Sequence, residues 1–445
     1  MGDGDFVKGG TVKLSLMNIG NLDTGNLNMR FLNTGSIRVL EGGVSIDSSA
    51  LITNCVSSIA HDWVVEPEGL LDLKGFNAIM RSIAVIGTGV LTNTATGVST
   101  LTLGEGDADT TYQKSIPPRI DIVKVGQGTL SMYATDVDKV HVLAGELALK
   151  SRKEIGYPFY KFNVYKPRRE PVKNATVTMA EIKYLDGDKD VTLGMDAYYY
   201  DPSGTSNYFT PDNAWDRDLS TYFKDGRASD YAKITNIHFE VEYRPSRKIT
   251  GYTWATSDQS YHTDLRDWGV FGSLDNATWE RLDLVEEFQA TQDRMTWVGT
   301  NFVFRFANQM VAVGNADVAD GARLTVSGAS VALSSLALGS DASVAVRSGA
   351  TLEFPAAVSV SKLEVNADDE VSTLIGFTRA SAGTLYLTGT TDRPSRDLPV
   401  LVGGADEVWA GWTVVYNGVE VPYMPLVKDG MLHLRGTRGL IIVVE

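Results

Sequence analysis

The sequence predicts an all-β protein in which ladders of short strands flank a compact aromatic-rich domain. Three observations lead there. Glycines, 43 of them in 445 residues, punctuate short segments of alternating character, such as Thr11–Leu16 and Ser36–Leu40. Alternation with period two turns one face to a core and the other to water. Runs with helical period are nearly absent, although about a third of residues in an ordinary protein are helical. Five of the eight tryptophans (Trp215, Trp254, Trp268, Trp279, Trp297) crowd into the middle of the chain.

The length exceeds a single core, and ~150 residues per domain suggests about three domains. Composition places them at 1–153, 154–306 and 307–445. In the first, Asn, Asp and Gly recur at corners, as in Asn18–Leu27, where tolerance of positive φ permits tight turns between strands. Such a pattern suits a solenoid, whose rungs cover one another's apolar faces. The irregular repeat length leaves a sandwich open. Near Arg152 the laddering stops. It returns after Phe306, in Ala322–Val326, Val331–Leu333, Val344–Val346 and Ala350–Phe354. Whether the two ladders form one stack or two is not decided by the sequence.

Charge and cysteine content remove some functions. A formal net charge of -15 repels phosphates, so nucleic acid is not an expected partner. The single cysteine, Cys55, precludes an intramolecular disulfide and a cysteine-built zinc site. No apolar run reaches the ~18 residues of a membrane helix, so membrane insertion is not expected. Met1–Asp5 is no signal peptide. The motifs of zinc proteases, serine hydrolases and phosphate loops are missing, and the five histidines are scattered. The expectation is therefore no enzyme. A solenoid enzyme acting on polysaccharide, with acids assembled in space, is the weaker reading.

Two resemblances sharpen this. The segments Gly69–Asn77, Gly87–Asn93 and Ser99–Gly104 carry the first, with Lys124-Val125-Gly126-Gln127-Gly128-Thr129-Leu130 and Val140–Leu149. Together they resemble the autotransporter-associated β-strand repeats of exported bacterial proteins, with the pattern K-x-G-x-G-T-L, a loop, then V-x-V-x-x-G-x-L-x-L. The match is good over 66–150 and looser over 311–365. It implies a right-handed parallel β-solenoid and export, hence a secreted or cell-surface protein in its mature form. No series of amphipathic membrane strands closes the chain, so self-export is not expected.

The second is carried by Ala180–Tyr184, Asn213–Thr221, Gly251–Thr256 and Asp264–Trp279. In that order they resemble discoidin modules (coagulation factor 5/8 type C), a fold shared with many carbohydrate-binding modules. The implied fold is a jelly-roll sandwich. The family's N-A-x-D-G-D-x-x-T loop and Ala-Glu pair hold a structural calcium ion. By position, the ligands here are Asp216, Asp218, Thr221 and Glu181, with backbone oxygens of Asn213 and Ala180. Calcium takes six to eight hard oxygens, which such a turn supplies. The family's glycine is Arg217 here. The alternative is a metal-free turn in which Asp216 and Asp218 cap backbone amides.

Glycan sites in this family lie on loops at one end of the sandwich. The candidates are Tyr208, Phe209, Tyr261, His262 and Arg266, because sugars need aromatic faces and a few fixed polar groups. Trp254, Trp268 and Trp279 fall at strand positions and are expected in the core. The run Tyr198–Tyr200 reads as a strand end, and Asp186-Gly187-Asp188 as a hairpin turn.

The expected function is a non-catalytic structural or adhesive protein whose discoidin-like module binds glycan. The alternatives are a carbohydrate-binding component of a polysaccharide-degrading system and a self-assembling filament subunit. Self-association would use solenoid ends or the strand Leu440–Val444.

Overall fold

The structure is a computed structural model. It describes residues 6–8, 14–16, 37–46, 62–168, 175–194, 197–200, 211–228, 237–306, 309–355, 358–403 and 405–436. Strands make up 57% and helix 3%, so the all-β prediction holds. The chain divides into two compact units, Met1–Ser151 with Asn308–Glu445, and Arg152–Ala307.

The first unit is a β-solenoid of about 14 turns. Its parallel strands stack like residues on like. Leu130, Leu147, Leu324, Val344, Leu363, Leu385 and Val414 form one column, each paired with the next. All seven are buried. Burying such side chains contributes roughly 1.5–3 kcal/mol apiece. The column settles what the sequence left open. Leu147 precedes the inserted unit and Leu324 follows it, yet the strands Glu146–Lys150 and Arg323–Ser327 pair directly. Val137–Val142 and Met310–Val318 do the same on a second face. The two ladders are one stack.

The K-x-G-x-G-T-L segment acquires a physical reason. Lys124 sits in register between Leu103 and Val142, in an otherwise apolar column, and is fully buried. Its ammonium turns to the corner and donates to the carbonyls of Val125 (2.5 Å), Gly126 (2.7 Å) and Ala144 (3.2 Å). Burial pulls its pKa down, against Asp107, Asp109 and Glu146. Gly126 has φ +72°, and a Cβ there would lie 2.1 Å from the Gly104 carbonyl oxygen. Neighbouring corners are tied by carboxylates: Asp107 accepts from the Gln127 amide and Asp109 from the Thr129 amide, each 20 positions on.

Another corner turns on Asn93, which is 2% exposed. Its Oδ1 accepts from the amides of Gly75 (2.8 Å) and Ala95 (3.2 Å). Its Nδ2 donates to the carbonyls of Gly97 (2.8 Å) and Arg119 (2.9 Å). Replacing Asn93 with leucine strands these groups in a buried corner. The expected loss is about 3 kcal/mol, because an unsatisfied buried group costs ~1–3 kcal/mol. Urea unfolding followed by far-UV circular dichroism checks it, and a loss within 0.5 kcal/mol, the usual range for surface substitutions, would refute the corner's importance.

At its C-terminal end the described ladder changes direction. Met431–Gly436 runs antiparallel to Asp397–Leu401, and Tyr423–Lys428 antiparallel to Met431–Gly436. Phe354, Phe377, Trp409 and Trp412 follow one another in the core with ring centroids 5.6, 5.6 and 4.9 Å apart. Leu440–Val444 lies outside the described residues.

The second unit is antiparallel. One sheet orders Ala197–Tyr200, Ile237–Arg247, Tyr157–Pro167, Leu265–Ser273 and Trp279–Val285. Another orders Lys189–Asp190, Glu181–Asp186, Gly251–Ala255 and Phe302–Val303. Their inward residues, among them Phe162, Tyr184, Phe239, Tyr252, Trp254 and Trp268, share one core. Trp268 Nε1 donates to the Tyr252 hydroxyl (2.6 Å), which donates to Asp283 (2.8 Å). Trp254 and Trp268 are buried as expected, but Trp279 is not a core residue. It is half-buried, with the Lys161 ammonium 3.7 Å from its ring centroid. Asp186-Gly187-Asp188 forms the expected hairpin, with Asp186 paired to Lys189. Tyr198–Tyr200 lie in an edge strand of the first sheet.

No helix among the described residues is long and apolar enough to cross a membrane.

Candidate functional site

Two groups of residues in Arg152–Ala307 are candidates. The first is the turn after the short 3-10 helix Pro211–Ala214. Here Glu181, at the start of its strand, is buried. Its Oε1 accepts from the Asp218 amide (3.1 Å). Asp216 Oδ1 accepts from the same amide (2.8 Å), and Asp216 Oδ2 from the Thr221 hydroxyl (2.5 Å), which also contacts the Asp218 carbonyl oxygen (3.0 Å). The Glu181 and Asp216 carboxyls are thus neighbours that share the Asp218 amide. Burial, then this neighbour, pushes Glu181 up to about 8. Asp216 is held below the usual range. Burial opposes this, and Thr221, the Asp218 amide and Glu181 outweigh it.

The Asp218 carboxylate does not join them. Asp218 Oδ1 faces Ser220, accepting from its amide (2.9 Å) and hydroxyl (2.6 Å). Asn213 Nδ2 donates to the Tyr222 carbonyl (3.1 Å). The Ala180 amide donates to Ala255 (3.0 Å). Among the described residues no three acidic, histidine or cysteine side chains gather as an ion-holding group. The donor set therefore fits a cation in part: Glu181, Asp216 and Thr221 meet, while the Asp218 carboxylate would have to rotate. Arg217 adopts φ +66°, the conformation a glycine would supply. Its guanidinium lies 3.5 Å from Asp190, so its charge already has a carboxylate partner.

The second group is the loop Asp258–Asp264 with its supports. Ser260 caps the 3-10 turn Tyr261–Thr263. Tyr261 is exposed, its ring 3.9 Å from that of His262 and 5.1 Å from the guanidinium of Arg168. Beneath lies Asp264, fully buried, gripped by both terminal nitrogens of Arg294 at 2.8 Å. Burial raises the Asp264 carboxyl above the usual range even though Arg294 pulls it down. A chain of hydroxyls continues inward: Thr263 meets Thr178 (2.6 Å), which accepts from Ser257 (2.8 Å).

The structure brings Tyr261 and His262 together. It ties Arg266 to Asp267 through two nitrogens, at 3.0 and 3.2 Å. Asp267, held low by Arg266, the Glu287 amide and Lys166 against burial, also takes Lys166 at 3.0 Å. Tyr208 and Phe209 lie outside the described residues. Arg168, Asp264 and Arg294 were not among the site candidates of the sequence. Asp264 and Arg294 stand 30 positions apart with no motif linking them.

No protein-family model matches the chain, and neither does any curated protein.

Proposed function

We propose that this is a non-catalytic secreted or cell-surface protein in which a β-solenoid carries a discoidin-like module that binds glycan, with calcium as a structural ion. The observation that carries the reading is the continuous column from Leu130 to Val414, which passes the insertion without losing register. A stack that continues past a separately cored insert serves as a support, and the insert as the part displayed. The exposed Tyr261 ring on a heavily hydrogen-bonded loop supports glycan as the ligand, since an aromatic face accepts the apolar face of a pyranose.

A glycan array with the full chain tests this. Specific binding that is lost in Tyr261→Ala supports it. A blank array from folded protein would leave a scaffold.

Calcium is expected to raise the melting temperature of the module's transition. At a free concentration 100 times the dissociation constant the gain is about 2.7 kcal/mol. Asp216→Asn should abolish it. Identical melting curves in calcium and in chelator would remove calcium from the proposal.

A further inference from the structure

We propose that the loop end of the module recognises an acidic sugar, with Arg168 reading the carboxylate while Tyr261 takes the ring. This rests on the glycan reading above and narrows it.

Three of the cations at this end are already neutralised. Arg294 is held by both oxygens of Asp264. Arg266 and Lys166 share Asp267. Arg168 differs. Its backbone amide donates to the Asp264 carbonyl (2.7 Å) and its Nη1 to the Ala290 carbonyl (2.8 Å), which fix its position. Among the described residues its guanidinium forms no ion pair with a carboxylate. Asp264 acts on it through space, but both Asp264 oxygens are committed to Arg294. The result, among the described residues, is a positioned guanidinium without a carboxylate partner, lying over an exposed aromatic ring.

That pairing matches one ligand chemistry. A uronic acid offers an apolar ring face to Tyr261 and a planar carboxylate to a guanidinium fork, the geometry in which arginine binds oxyanions most strongly. The net charge of -15 opposes an acidic ligand at long range. At physiological ionic strength, however, that repulsion is screened beyond about 8 Å. The local arginine then decides the sign of the interaction.

The test uses the full-length chain and paired oligosaccharides, each uronic acid beside its carboxyl-reduced neutral counterpart (galacturonate with galactose, glucuronate with glucose, mannuronate with mannose). Titration calorimetry is expected to show at least one acid binding about tenfold or more tighter than its neutral partner, the scale of one charge-assisted hydrogen bond. Arg168→Gln should bring that ratio to about one. Arg168→Lys should restore part of it, and Tyr261→Ala should weaken both members, with circular dichroism confirming the fold of each variant. If acid and neutral sugars bind equally, or if the preference survives Arg168→Gln, the proposal falls and the glycan reading stands. If no sugar of the panel binds and the glycan array is also blank, the glycan reading fails and takes this proposal with it.

Discussion

Gly126→Ala is expected to destabilise the solenoid by about 3 kcal/mol or more. Two costs combine. The residue holds φ +72°, where a side chain is strained by ~1–3 kcal/mol. The added Cβ would also lie 2.1 Å from the Gly104 carbonyl oxygen. That neighbour is backbone of the preceding turn, so relief requires the rungs to part. The damage spreads to Lys124, because the Gly126 and Val125 carbonyls it binds lie in the displaced corner. Lys124→Met gives a companion measurement. It keeps the volume of the column but leaves three carbonyls without the ammonium, at a cost of ~1–3 kcal/mol for each group that stays dry. Hydrogen exchange should show faster exchange at amides 125–130 and at 145 in both variants, while the amides of Tyr157–Pro167 keep their protection. A Gly126→Ala protein with unchanged exchange in that corner would show that the clash is absorbed without cost.

That corner also shows how much of the fold the sequence made legible. Alternation and glycine spacing were enough for an all-β chain, and the order of the Lys124–Leu130 and Val140–Leu149 segments pointed to a solenoid. The first follows from local rules, since period two and tight corners are properties of a few neighbouring residues; the second is what the resemblance of those segments implies. The continuity of the two ladders was not legible, because Glu146–Lys150 meets Arg323–Ser327 across an insertion of more than 150 residues. Alternation puts Lys124 on the inward face with Ile120 and Ile122, and a charged residue is held there because its long stem reaches corner carbonyls. Trp279 failed for a related reason. Its strand position is correct, but which face of a sheet is covered depends on register, and here Lys161 lies against the ring.

The candidate sites divide in the same way. Glu181 and Asp216 were found because a motif keeps them at fixed places, and they do meet. Arg217 was the one departure from the pattern that the loop resembles. It takes the left-handed conformation itself and pairs with Asp190, an arrangement no spacing announces. Tyr261 and His262 were chosen as loop aromatics. The groups that hold them, Arg168, Asp264 and Arg294, come from three separate segments and are visible only once those segments meet.

Arg294→Met carries the second large effect, expected at about 3–5 kcal/mol at pH 7, the cost of removing one partner of a buried ion pair. Asp264 is fully buried and binds both Arg294 terminal nitrogens at 2.8 Å. The same guanidinium donates to the carbonyls of Thr291 (2.9 Å) and Gln259 (3.3 Å), so its loss also releases the two loops it joins. The pH dependence identifies the cause. Burial raises the folded pKa of Asp264 above its unfolded value of 3.8, and Arg294 restrains that rise. Between the two values the folded state holds more protons than the unfolded state, so this group's contribution falls as pH rises through the window. Without Arg294 the folded pKa climbs further and the window widens. The destabilisation of Arg294→Met should therefore be smaller at pH 4 than at pH 7, and Asp264→Asn in the same chain should recover part of the loss at pH 7. Denaturant titrations followed by tryptophan fluorescence see both units, through Trp254 and Trp268 in this one and Trp63, Trp409 and Trp412 in the solenoid. Because the chain has two units, each transition must be fitted separately. A loss that is equal at both pH values and untouched by Asp264→Asn would mean that Arg294 acts through its contacts with the loop carbonyls, with no penalty from an unpaired charge.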